Sequence, residues 1–142
     1  MRHHRVLRVI SKLLIPYIML FALYVQFHGD FGPGGGFQAG VILASAVILY
    51  ALIFGADAAA AAVPGAIVTR LVAAGVLIFG GVGVVSMLRG GEYLNYSVLA
   101  HDPVHGQHLG ILLIEFGVGT TVAAAMVAIF LAFSLRRRED DE

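Results

Sequence analysis

His28-Gly29-Asp30-Phe31-Gly32-Pro33-Gly34-Gly35-Gly36-Phe37-Gln38-Ala39-Gly40 is the one dense cluster of glycine and proline in the chain, and a long apolar segment lies on either side of it. Glycine loses more backbone freedom on ordering than any other residue. Three in a row therefore imply a tight turn, a positive φ, or the close approach of another backbone. The stretch reads as the turn between two membrane-crossing helices. It lacks the Lys-Ser/Thr ending of a phosphate-binding loop. Its last glycines, Gly36 and Gly40, open a small-residue row that runs on to Ala44, so the turn is also the start of a helix-contact face.

The rest of the composition agrees with a lipid solvent. Of 142 residues, 59% are hydrophobic and only 13% are charged, against roughly 25% charged in a soluble domain. The formal net charge is zero. With no cysteine in the chain, disulfides and thiolate metal sites are excluded. The basic residues flank apolar spans and form no surface stripe, so nucleic-acid binding has no support.

Working outward from the turn, Val9 to Phe27 is a first span, preceded by a basic lead-in over residues 1–8 that would lie on the membrane surface. No small-x-small cleavage site precedes the glycines, so this span reads as a retained helix and not a secretory signal. Phe37 to Phe54 is the second span, and Gly55 to Gly65 a short connection. Pro64 suits the beginning of a third helix, over Ile67 to Leu88. Arg89 to His108 is a polar loop, and Leu109 to Leu135 is the fourth span, closed by a charged tail over residues 136–142. The expected fold is an all-α integral membrane protein forming a single membrane domain of four transmembrane helices. With both termini cytoplasmic, only Arg89 among the nine Lys and Arg residues falls outside, a positive-inside pattern.

Glu115 is the one carboxylate within an apolar span. A charged acid at the bilayer centre costs on the order of 3 kcal/mol, and this one would sit roughly 9 Å in from Leu109. It is the candidate for an ion path, with a neutral, hydrogen-bonded helix contact as the plainer alternative. Arg70 lies close enough to a helix end to snorkel. His101, Asp102, His105 and His108 offer ligand types for a metal ion, but Pro103 and Gly106 argue against the regular helix that would align them. A solvated outer loop is the preferred reading, with no metal and no cofactor assigned. Gly117, Thr121 and Ala125 form a second small-residue row, and Gly80, Gly81 and Gly83 thin the third helix. One acid in four helices is too sparse for a complete ion pathway of its own.

The stretch from His28 to Gly40 resembles the signature of the B subunit of the multisubunit sodium/proton antiporters (Mrp, also called Mnh). Its Pro33-Gly34-Gly35-Gly36-Phe37 core, followed by Gly40, carries the likeness. Ile114-Glu115-Phe116-Gly117-Val118 is similar to the family's acidic-x-Gly-Val stretch. Two departures stand out: Asp30 lies where many members carry a histidine, and Glu115 where many carry aspartate. The resemblance implies a small, non-enzymatic subunit of a hetero-oligomeric Na+/H+ antiporter in the cell membrane. Its partners would be the other subunits and membrane lipids, with Na+ and H+ transported by the whole complex. Two other readings stay open at this point. One is a stand-alone homo-oligomeric four-helix carrier or channel coupled through Glu115. The other is a subunit of a related membrane-bound, redox-linked complex.

Overall fold

The computed structural model describes residues 5–29 and 32–139, with side chains through Arg136. Asp30 therefore lies outside the described residues. The architecture is all-helical: α1 (Arg5–His28), α2 (Gly36–Phe54), a short α3 (Ala56–Ala62), α4 (Gly65–Leu88), a 3-10 turn (Tyr96–Val98) and α5 (Pro103–Glu139). Four of these, α1, α2, α4 and α5, are long and apolar enough to cross a membrane.

The connection after α2 is itself helical. Gly55, at φ +107°, breaks α2 and starts α3, and the alanine run that follows has the highest helix propensity of any residue type. Pro64 precedes α4 and its carbonyl accepts from the N–H groups of Ile67 and Val68. Residues 5–8, expected as a separate surface segment, continue α1.

The larger correction concerns α5. It starts at Pro103, not near Leu109, and its 37 residues would span about 55 Å at 1.5 Å each. Proline at the first helical position loses only an N–H that has no partner there anyway. Asp102 supplies the cap: its Oδ1 accepts from the Val104 N–H at 3.2 Å, and its carbonyl accepts from Gly106 at 2.9 Å. Gly106 is needed inside the helix, because a Cβ there would press on the Tyr96 carbonyl oxygen at 2.5 Å.

The helices form an open row, not the closed four-helix bundle that short connections invite. α1 packs on α2, α2 on α5, and α5 on α4, while α3 rests across α2 and α5. α5 holds two neighbours because two of its faces are thin. Gly119 faces α2, where a Cβ on Gly40 would lie 2.7 Å from its carbonyl oxygen. Gly117 and Thr121 face α4, where a Cβ on Gly75 would collide with Thr121 Oγ1. The buried cluster is correspondingly small-residue: Ala44, Ala51, Ala59, Val68, Ala124, Val127 and Leu131. In lipid, apolar burial gives no net drive for association, so close backbone approach has to supply it.

The row is also staggered. Gly36, at the start of α2, lies against Glu115, and Gly75, in the middle of α4, lies against Gly117. From Gly75, α4 continues to Leu88 for about another 20 Å. Gly75 also meets Thr121, so Glu115 and the turn stand roughly 6 Å above Gly75, and the α4–α5 hairpin rises about 14 Å beyond them.

Candidate functional site

The Gly-rich turn folds back over the end of α1. The Gly32 N–H donates to the His28 carbonyl at 3.1 Å, and Gly34 passes so close under α1 that a Cβ would lie 3.0 Å from the Val25 carbonyl oxygen. Gly35 then takes φ +131°, a region that side chains rarely tolerate. It caps α2 without a side chain to offer. α2 starts, as every helix does, with N–H groups that lack an intrahelical acceptor.

Glu115 reaches this place from α5. A Cβ on Gly29 would lie 2.7 Å from its Oε2 and 2.8 Å from its Oε1, and one on Gly35 would lie 3.2 Å from Oε1. Both carboxyl oxygens are therefore wrapped by glycine on two sides, and the side chain is half-buried. It stands where a capping side chain would, beside the N-terminal end of the α2 dipole. Its depth differs from expectation: it lies roughly 18 Å along α5 from Pro103, and level with the turn.

Two amides share this end of the row. Gln38 Oε1 would be 3.4 Å from a Cβ on Gly35, and Gln26 Oε1 leans across from α1 to Gly119. A crevice of ≈ 70 Å³ lies at this junction of α1, α2 and α5, lined by Gln26, Gly40, Gly119 and Thr120 among others. Spacing along the sequence gives Glu115 no polar neighbour. Gln26 and Gln38 escape such a reading because their proximity depends on which helix faces meet.

Of the motif residues, Gly35, Gly36 and Gly40 converge with Glu115 or the helix that carries it, while Gly34 packs on α1. Pro33 and Phe37 point outward and are exposed, and Gly117 serves the α4 contact instead. Gly29 belongs to the Gly-rich stretch, whereas Gly75 and Gly119 are contact residues that the sequence patterns did not single out. Gly119 had a legible signal: it sits one helical turn after Glu115, the spacing that would pair with Gly36 and Gly40. Gly80 and Gly81 have nothing within 4 Å of the place a Cβ would occupy, so that thin patch of α4 is unused within the chain.

The histidine segment does not assemble as one helical face. His101 precedes α5, whereas His105 and His108 lie on it. Among the described residues, no group of three His, Asp or Glu side chains is placed to hold a metal ion. His105 Nδ1 instead meets Asp102 Oδ2 at 2.8 Å, with the histidine 80% exposed. That hydrogen bond, followed by the one from Val104, holds the Asp102 carboxyl below its ordinary value of 3.8. The loop ahead of it is pinned by Arg89, whose Nη1 donates to the Leu99 carbonyl at 2.8 Å and approaches that of Val98 at 3.4 Å. Gln107 Nε2 donates to Ser97 Oγ at 2.7 Å.

A family model described as a domain related to the MnhB subunit of Na+/H+ antiporter matches residues 6–128. The chain is 34% identical over 132 residues to "Putative antiporter subunit mnhB2" of Staphylococcus haemolyticus (strain JCSC1435), covering 91% of this chain and 93% of that protein. A protein of the same description from Staphylococcus aureus (strain Newman) is 34% identical over 133 residues, with the same coverage.

Proposed function

The chain belongs to the family of domains related to the MnhB subunit of Na+/H+ antiporters, and from that premise we propose that it serves its antiporter complex as an accessory subunit required for assembly. The observation that carries this reading is the open, staggered row. A chain that worked alone would close its helices around a path. Here α4 packs on α5 alone, α1 packs on α2 and reaches α5 only around Gln26, and α5 exposes Leu109 and Leu112 on the part that rises past the α1–α2 turn. Such a slab fits between other membrane subunits, its partners in the complex, with lipid on what they leave uncovered.

Its place is the cell membrane, with both termini cytoplasmic. Arg5, Arg8 and Lys12 on α1, Arg70 on α4 and Arg136 on α5 all belong to one end of the antiparallel row, while Arg89 belongs to the other. That asymmetry supports the orientation. Glu115 is the residue through which the subunit would touch the path for Na+ or H+, as an acceptor wrapped by the motif turn.

Affinity purification of the tagged chain in mild detergent tests the assignment. Several larger membrane proteins should co-purify, and membrane vesicles lacking the chain should lose Na+-dependent proton exchange. A monodisperse preparation of this chain alone that exchanges Na+ for H+ in liposomes would overturn it.

A further inference from the structure

We propose that the groove between α1 and α3 holds an anionic phospholipid, with the phosphate at Arg8 and Lys12 and an acyl chain along the groove. Arg8 and Lys12 are one helical turn apart and share a face of α1. Both converge on the Phe54 ring at the end of α2, with Arg8 Cζ 5.1 Å and Lys12 Nζ 5.6 Å from its centroid. The ring attracts both cations but supplies no counter-charge. Two like charges brought to one ring repel unless an anion joins them.

The same face of α1 continues through Ile15 and Met19, which form one wall of a groove of ≈ 170 Å³. Val47 and Tyr50 of α2 make its floor, and Ala59 and Ala62 of α3 its far wall. No polar atom reaches its surface. Tyr50 stacks on Phe54 at 4.8 Å, so the apolar groove runs directly from the cationic pair. A positively charged mouth opening onto an apolar trough at a helix end matches one class of ligand, with a phosphate head and a hydrocarbon tail. A free phosphate would leave the trough empty, and an apolar peptide would leave the cations unmatched.

The chain contains no tryptophan, so Phe54→Trp gives a single tryptophan, excited apart from the tyrosines, at the site and keeps a ring for the cations. The full chain carrying it would be reconstituted in phosphatidylcholine vesicles, with acyl-brominated phosphatidylglycerol or acyl-brominated phosphatidylcholine as quencher. Phosphatidylglycerol should be preferred, by about fivefold for each cation that engages the phosphate. Adding Arg8→Gln or Lys12→Gln should reduce that preference, and both together should abolish it. Arg70→Gln, which removes a cation from α4 at the same end of the row, should leave it intact. Equal quenching by the two lipids would overturn the proposal, as would a preference that survives the double substitution or falls equally with Arg70→Gln. The same reporter in the purified complex distinguishes a protein occupant: loss of quenching by both lipids there would mean that a neighbouring subunit fills the groove, and would also overturn it.

Discussion

Gly36 packs so closely on Glu115 that a Cβ at position 36 would run into the Glu115 carbonyl oxygen. The obstacle is backbone within a helix, which cannot rotate aside as a side chain could. Gly36→Ala should therefore push α2 off α5, at a cost of about 1–3 kcal/mol for overpacking. Gly80→Ala meets open space and should be neutral or stabilising by roughly 0.5–1 kcal/mol, since alanine is the better helix former. Thermal aggregation of the two variants in the same detergent provides the comparison. Equal midpoints would mean that α2 and α5 do not approach as described.

At the turn itself the strain is conformational as well as steric. Gly35 sits at φ +131°, where a β-branched residue is a genuine outlier. Gly35→Val should lower the yield of assembled complex well below that of Gln38→Ala, whose half of the pair is an exposed amide. Similar yields from both would remove the conformational argument for the glycine run.

Glu115 separates packing from chemistry. Glu115→Gln keeps the volume and one acceptor oxygen beside the start of α2, so the complex should assemble near the parental level. Glu115→Leu removes both acceptors from a half-buried polar pocket, and should cost about 1–3 kcal/mol for the groups left unsatisfied. If the carboxyl takes part in ion movement, Na+-dependent proton exchange should fall in the glutamine variant while complex yield holds. Unchanged exchange in that variant would restrict Glu115 to a structural role.

The extent to which these relationships are readable in the sequence follows from the solvent. Helix existence is legible because lipid demands long uninterrupted apolar runs, and Pro64 marks the start of α4 by an ordinary local rule. Pro103 obeys the same rule, but beside Gly106 it resembles a breaker, and the cap from Asp102 is what turns it into a helix start. The side-by-side order of the helices is not legible. Spans that are apolar all round carry no stripe to say which face is inward, and Gly117 and Gly119, two positions apart, serve different neighbours. Only the three-dimensional arrangement reveals that Gln38 and Glu115 meet at Gly35 and that Gln26 reaches Gly119.

Outside the membrane, the Asp102–His105 pair predicts a pH response at the start of α5. The Asp102 carboxyl is lowered in the folded chain, chiefly by the hydrogen bond from His105 and then by that from Val104. A depressed carboxylate stabilises the fold above its unfolded value, and that contribution is lost as pH falls through the folded value. The cap should therefore be intact at neutral pH and weaken only on acidification below 3.8. NMR titration of the Asp102 side-chain carbon should show a midpoint below that value, moving upward in His105→Ala. An unmoved midpoint would assign the shift to the Val104 contact alone.

The stagger of the two hairpins makes the last prediction, and the absence of cysteine from the chain makes it clean to test. Pro33, on the α1–α2 turn, and Glu92, on the loop above α4, are both exposed to the protein's surroundings. They differ in height: the turn is level with Glu115, about 6 Å above Gly75, and Leu88 stands about 14 Å higher still at the rise of a helix. When α4 spans the bilayer, Glu92 is in water and Pro33 is within or at the edge of the hydrocarbon. A membrane-impermeant maleimide reacts with a thiolate, which requires water at the sulfur. Applied from outside intact cells, it should label Glu92→Cys rapidly and Pro33→Cys at least about tenfold more slowly, given the cost of bringing charge into hydrocarbon. Labelling of Glu92→Cys only after the cells are opened would reverse the proposed orientation. Equal outside rates at the two sites would place the Gly-rich turn in water, and Glu115 with it.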